Sequence, residues 1–149
     1  MSEKAIELIK EFEDLRLEAY LCPAGVWTIG WGHTKGVIKG GVIDHARAEE
    51  FLREDYEEAE KAVLSLVKVK LTDNQLGALT SFVFNLGAGN FKSSTLRRKV
   101  NTNPHDKTIR DEFMRWVYTK GKDRDGNTVP IKLRGLERRR EAEADLYFS

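Results

Sequence analysis

The stretch from Thr72 to Gly87 constrains the fold of this chain more than any other segment. Thr72 and Gln75 have the spacing of a capping box, which starts a helix, and Gly87 is suited to end one. Between them, apolar side chains recur at helical spacing: Leu76, Leu79, Phe82, Val83 and Leu86. This line is too apolar to face solvent, so other elements must enclose it. We predict that this helix forms the core of a helical lobe.

More helices are predicted on both sides of this core helix. Asp44 is suited to cap a long amphipathic helix that ends near Leu66 and forms a spine between two lobes. Shorter helices are predicted from Ser93 or Ser94 to about Val100, from about Asp106 to Val117, and from about Arg134 to Tyr147. The polar segment 120–128 carries two turn signals, Gly-Lys-Asp and Asp-Gly-Asn, and is predicted to be a loop.

An acid, a thiol and a hydroxyl lie close together in the N-terminal part of the chain. Glu13 follows an apolar helical repeat, which places it near a helix C-terminus, where the partial negative charge disfavours an ionised carboxyl and suits a general acid. Cys22 begins a Cys-Pro-Ala-Gly turn, and Thr28 lies in an alternating segment typical of a hairpin strand. We therefore expect the three groups to converge where a helix meets a hairpin within residues 17–43.

The same residues resemble the pattern of the phage-type lysozymes, the endolysins of glycoside hydrolase family twenty-four. That pattern is a Glu, eight residues, usually an Asp, five residues and a Thr, then Ile-Gly-aromatic-Gly-His. The chain supplies Glu13, Cys22 and Thr28, followed by Ile-Gly-Trp-Gly-His at 29–33. The resemblance continues through QLGALTSFVFNLGAGNF at 75–91 and GLERRREAE at 135–143, so it spans nearly the whole chain. Its one departure is Cys22, where most members carry Asp.

The resemblance implies an α+β, lysozyme-like fold with a small N-terminal hairpin lobe, a larger helical lobe and a cleft between them. A length of 149 residues and a mass of 17.0 kDa suit one catalytic domain over residues 1–149. One cysteine cannot form an internal disulfide, so the fold must rest on packing alone.

The resemblance also implies a role for each site residue. Glu13 would donate the proton to the leaving oxygen, Thr28 would hold the attacking water, and Cys22 would take the base or nucleophile position. A free thiol ionises near pH ~8.5 against ~3.9 for Asp, so Cys22 is mostly protonated at neutral pH unless its surroundings favour the thiolate. Thr34 and Phe84 align with family positions that line the sugar groove.

Each assignment has a structural alternative. Glu13 suits a surface position on a helix, although its spacing to Thr28 and the Gly-Trp-Gly-His run argue against that. Thr28 suits a strand by β-propensity, Cys22 suits a small buried position, and Phe84 suits the core. For His33 we favour a structural hydrogen bond at the end of the hairpin over catalysis. The three histidines and one cysteine show no metal-ligand spacing, so neither a metal nor another cofactor is expected.

The function implied is a muramidase that hydrolyses the β-1,4 bond between N-acetylmuramic acid and N-acetylglucosamine of bacterial peptidoglycan, with inversion. Two alternatives remain open at this point. A lytic transglycosylase would use one acid and no attacking water, and Thr28 argues against it. A wall-binding module would have lost catalysis through Cys22.

The distribution of charge bears on partners. Residues 1–66 carry 8 basic and 14 acidic side chains, and residues 67–149 carry 17 and 10, for a net charge of +1. The cationic second half suits the anionic peptides and polymers of a cell wall. Because the basic residues lack interleaved aromatics or a DNA-binding motif, we expect no nucleic-acid partner.

The first residues, MSEKAIELIKEFED, read neither as a signal peptide nor as a membrane anchor. The sequence leaves open whether the protein is naturally without an anchor or lacks a native one. We expect no stable membrane association, a monomer, and residence in the host cytoplasm until a membrane lesion, made in this family by a holin, gives access to the wall.

Overall fold

The computed structural model describes residues 2–149, which form seven helices and four short strands. In chain order these are α1 (Glu3–Phe12), β1 (Arg16–Leu21), β2 (Trp27–Gly30), α2 (His45–Leu66), α3 (Asp73–Leu86), α4 (Ala88–Ser93), α5 (Thr95–Thr102), α6 (Ile109–Phe113), β3 (Tyr118–Lys122), β4 (Thr128–Lys132) and α7 (Arg134–Tyr147). The α+β architecture that the sequence predicts is confirmed.

The N-terminal lobe is α1 followed by a small antiparallel hairpin. The hydroxyl of Ser2 caps α1 by accepting from the backbone N–H of Ala5, and the helix ends at Glu13, whose backbone is extended. Strands β1 and β2 pair so that Tyr20 lies opposite Thr28. A loop then returns along the outer side of β1, where an isolated bridge joins Glu18 to Val42.

Helix α2 connects the two lobes and is the spine that the sequence predicts. The carboxyl of Asp44 caps it by accepting from the backbone N–H of Arg47, over 2.8 Å. The first half of α2 contributes to one apolar cluster, which consists of Ala5, Ile6, Ile9, Trp31, Ala48, Leu52 and Tyr56. Its second half, through Ala59 and Val63, belongs to the larger cluster of the helical lobe. One continuous helix therefore fixes how the two lobes are joined.

Helix α3 is the core of the helical lobe, as its apolar line predicts. Both bonds of the capping box between Thr72 and Gln75 form, and the chain leaves the helix at Gly87 with a φ of +89°. Leu79 and Phe82 are fully buried, and edge-to-face contacts join Phe82 to Phe91 and Phe113. Burial of side chains of this size contributes about 1.5–3 kcal/mol each, so α3 carries much of the stability of this lobe.

Three segments differ from their sequence predictions. The helix predicted over 106–117 is shortened to α6, because the side chain of Asp106 accepts from the N–H and hydroxyl of Thr108 and holds a turn there. The segment predicted as a loop, 120–128, lies within a hairpin. Its ends belong to β3 and β4, which pair in regular register, and only residues 123–127 form the turn. A short helix, α4, occupies part of the stretch after α3.

No helix within residues 2–149 has the length and apolar character needed to cross a membrane.

Candidate active site

Glu13 lies where α1 ends and the chain turns into the hairpin. Its backbone N–H closes the last turn of α1 by donating to Ile9, and its carboxyl projects toward the backbone of Gly32. A Cβ atom at residue 32 would lie 3.2 Å from Oε2 of Glu13, and Gly32 has a φ of +78°. Glycine at this position therefore allows the strand-end backbone to approach the carboxyl closely.

The other oxygen of Glu13 is held by Arg139 of α7. Nη1 of Arg139 donates to Oε1 of Glu13 over 2.9 Å, although 126 residues separate the two. The Arg139 side chain is only 3% exposed, whereas that of Glu13 is 25% exposed. The carboxyl is thus fixed from the protein side and open on the other, a geometry suited to transferring a proton to a bound substrate.

Arg139 is itself held by a buried network. Its Nε donates to Oε2 of Glu143 over 3.3 Å, and the hydroxyl of Ser81 donates to the same oxygen over 2.6 Å. Nε of Arg140 lies 2.7 Å from the other Glu143 oxygen, and Nη2 of Arg140 donates to Asn85. Two guanidinium groups and the carboxyls of Glu13 and Glu143 are therefore paired at the junction of α1, α3 and α7.

Cys22 and Thr28 lie at the turn end of the first hairpin. The hydroxyl of Thr28 donates to the carbonyl of Val26 over 2.9 Å, which leaves its lone pairs to accept from another group. Bonds from backbone amides of the turn, above all that of Val26, lower the pKa of the Cys22 thiol, against an opposing effect of burial. The hydroxyl of Thr28 is near enough to lower it further.

Tyr20 interacts both with the hairpin and with Glu13 at the end of α1. It lies opposite Thr28 in the β1–β2 register. Burial raises the pKa of its phenol first, and the negative charge of Glu13 raises it next. Tyr20 thus senses the charge of Glu13 and pairs with Thr28 across the hairpin.

A cleft of about 480 Å³ opens at Gly32, although Glu13, Cys22 and Thr28 are not among the residues that line it. Gly32 and Thr34 line it from the hairpin lobe, α2 contributes Asp55, and Phe84 lines it from α3. The predicted groove residues Thr34 and Phe84 thus share one cavity, and Gly32 links that cavity to the Glu13 carboxyl. Phe84 also contacts both apolar clusters, so its core and groove positions are compatible.

His33 has a structural place, as the sequence favours. It is 4% exposed, its ring stacks on Phe51 with centroids 3.9 Å apart, and its Nδ1 lies 2.8 Å from Oδ2 of Asp55. Burial raises the pKa of Asp55, and the bond to His33 opposes that shift. The pair fixes the end of the hairpin to α2.

Arg139 and its network are the parts of the site that sequence reasoning missed. The run GLERRREAE reads as a charged surface helix, yet Arg139, Arg140 and Glu143 are nearly or fully buried. A usable signal was present, because Arg139 and Glu143 have the i, i+4 spacing of an ion pair on one helix face. Within residues 2–149, no group of three or more His, Cys, Asp or Glu side chains is placed to hold a metal ion.

The amino-acid sequence of this chain is similar to those of several known proteins. The phage lysozyme family model matches residues 10–143. The endolysin of Acyrthosiphon pisum secondary endosymbiont phage 1 is 44% identical over 149 residues, which cover 100% of this chain and 98% of that protein. The endolysin of Salmonella phage P22 is 38% identical over 130 residues, covering 84% of this chain and 88% of the relative.

Solved structures agree with the sequence matches. The muramidase domain of SpmX from Asticaccaulis excentricus superposes with a TM-score of 0.88 at 36% identity, covering 99% of this chain and 97% of that one. The endolysin from Escherichia coli O157:H7 phage FAHEc1 gives 0.86 at 34% identity, covering 99% and 92%.

Fold and site together define a glycoside hydrolase of the lysozyme class, with a hairpin lobe and a helical lobe beside an ion-paired glutamate. Within that class, the chain belongs to the phage lysozyme family, as its sequence predicts.

Proposed function

We propose that this chain is an endolysin whose Glu13, Cys22 and Thr28 hydrolyse the β-1,4 bond between N-acetylmuramic acid and N-acetylglucosamine of bacterial peptidoglycan. The observation that carries the proposal is the placement of Glu13. Its carboxyl is bonded on one side to the buried Arg139 and lies against Gly32, a residue of the cleft wall. Glycoside cleavage requires a carboxylic acid next to the leaving oxygen, and this placement supports Glu13 in that role.

Thr28 supplies the water side of the reaction. Because its hydroxyl proton is donated to Val26, the oxygen can accept a hydrogen bond from a water molecule and orient it. One hydroxyl carries one proton, so Thr28 would have to release Val26 in order to donate to a Cys22 thiolate. The thiolate, favoured by the amides of the turn, then takes the proton of the water as that water attacks the sugar carbon, which inverts the anomeric centre. Attack by the thiolate itself would form a covalent glycosyl-enzyme that water then cleaves, with net retention.

The proposal includes a sequence of events in the host cell. The protein stays in the cytoplasm as a monomer until a membrane lesion admits it to the wall. Peptidoglycan is then its partner, as the names of its relatives suggest.

Replacement of Glu13 by Gln tests the proposal. The amide keeps the shape and can still accept from Arg139, but it has no acidic proton, so the rate of wall lysis should fall ~100-fold or more. Glu11→Gln is the matched control, since this exposed glutamate on the same helix lies outside the cleft. A Glu13→Gln protein that is folded and retains more than about a tenth of wild-type activity would exclude Glu13 as the acid.

The products of the wild-type enzyme identify the reaction. Hydrolysis leaves reducing sugar ends, whereas a lytic transglycosylase leaves anhydro ends that are lighter by one water. Mass spectrometry of the released fragments should show reducing ends, and anhydro ends would contradict the role given to Thr28. Proton NMR of the first anomer formed should show inversion.

A further inference from the structure

The β3–β4 hairpin is an exposed cationic ribbon that the catalytic proposal does not use. In its register Tyr118 lies opposite Lys132, Lys120 opposite Pro130, and Lys122 opposite Thr128. Directly paired residues and alternate residues along a strand share a face, so Tyr118 and the three lysines project from the same side. Tyr118 is 55% exposed.

The charge of this face is available for an external partner. Lys132 is paired with Glu137 over 2.7 Å, whereas among residues 2–149 no carboxylate lies within ion-pair distance of Lys120 or Lys122. The carboxylates of the hairpin, at 123 and 125, lie in the turn, where Asp123 accepts two backbone N–H bonds. On the opposite face the side chain of Ile131 covers Gly121 and is itself 39% exposed.

The base of the ribbon is fixed to the helical lobe where α7 begins. Val117 is buried and its carbonyl accepts from Leu133 over 2.9 Å, while the neighbouring Trp116 packs edge-to-face on Phe82 of α3. Helix α7 starts immediately after the ribbon, and Arg139 lies five residues beyond Arg134, about 8 Å along the helix axis. The ribbon and the Glu13 carboxyl are therefore positioned by one helix.

We propose that the Tyr118–Lys120–Lys122 face binds the carboxylates of the peptides attached to the muramic acid residues of the glycan strand held in the cleft. This inference rests on the proposed function and adds a part of the substrate to it. Peptide stems carry carboxylates that are complementary to two unpaired lysines. They also lie next to the scissile bond, because they are attached to one of the two sugars that flank it. Tyr118 adds an apolar surface with a polar tip, a combination common where proteins contact peptides.

The experiment compares two soluble glycan substrates of equal chain length, one with its peptides and one from which an amidase has removed them. The variant is Lys120→Gln/Lys122→Gln. The matched control is Lys4→Gln/Lys70→Gln, which removes the same charge from exposed positions outside both the cleft and the ribbon. Both substrates lack other wall polymers, and whole walls are assayed as a third substrate.

On the peptide-bearing glycan, the ribbon variant should raise KM by about threefold to tenfold and leave kcat unchanged, because two exposed charge contacts are lost and no reacting group is touched. On the peptide-free glycan its KM should change less than about twofold, as should that of the control variant on either substrate.

Three results would overturn the inference. Equal increases in KM on both glycans would assign the lysines to the sugar chain, an equal increase in the control would reduce the effect to net charge, and an effect confined to whole walls would assign them to another wall polymer. Failure of the proposed function is distinguishable, since the wild-type protein would then cleave neither glycan.

Discussion

At the scale of single residues, Cys22 is the position where chemistry can be tested most directly. The turn amides that lower the pKa of its thiol increase the fraction of thiolate at neutral pH over that of a free cysteine. Thiolate and carboxylate are both anionic bases, so the same turn amides would also stabilise an ionised Asp side chain at this position.

We predict that Cys22→Asp remains active and that Cys22→Ala loses about 100-fold or more of the lysis rate, because a methyl group can neither attack nor orient water. Alkylation of the wild-type thiol should stop lysis. Circular dichroism serves as the folding control for all three proteins. The opposite order, with Ala tolerated and Asp harmful, would identify Cys22 as a small packing residue. An Asp there would bury an unpaired charge and destabilise the fold.

At the scale of elements, α7 matters most because it delivers Arg139 to Glu13 while burying three charged side chains. Removing one partner of a buried ion pair costs about 3–5 kcal/mol, since the remaining charge stays buried without compensation. Arg139→Met should therefore lower both the free energy of unfolding, by about 3 kcal/mol, and the catalytic rate.

The variant Arg139→Lys separates these two effects. Its ammonium keeps a buried cation beside Glu143, so urea unfolding should show a smaller loss of stability than in Arg139→Met. The catalytic rate should stay low, because an ammonium cannot hold Glu13 and Glu143 together as the planar guanidinium does. An Arg139→Lys protein that regained its activity together with its stability would show that Arg139 acts on the rate only through folding.

The same elements show what sequence reasoning can and cannot reach. Helices α2 and α3 are predictable because apolar periodicity and caps at Asp44, Thr72 and Gly87 are local signals. The β3–β4 hairpin is missed because its exposed strands lack a buried face and read as a polar loop. The Glu13–Arg139 bond is missed because no local pattern connects residues 126 positions apart.

At the scale of the whole molecule, the asymmetry of charge should govern encounter with the wall. The acidic side chains concentrate in the first 66 residues, which form the hairpin lobe and α2, and the basic excess lies in the helical lobe. A wall of opposite charge attracts this lobe over distances that salt shortens, from about 10 Å at 0.1 M to about 3 Å at 1 M.

We predict that lysis of whole walls falls about tenfold between these salt concentrations, whereas cleavage of a short neutral oligosaccharide falls much less. Turbidity of a wall suspension and release of reducing ends from the oligosaccharide measure the two rates. Equal sensitivity to salt on both substrates would mean that the charge asymmetry does not steer binding.

The closure of the ribbon at its base has a consequence for how such an enzyme changes over time. The chain leaves the helical lobe at Val117 and returns at Leu133, and one backbone bond of 2.9 Å joins the exit to the entry. Packing of the helical lobe constrains the positions of Val117 and Leu133 but not those of the residues between them. Lengthening, shortening or recharging the ribbon would therefore leave the folded lobe and the catalytic carboxyl in place. Lineages that meet different walls can diversify at this insertion point while inheriting the same reaction.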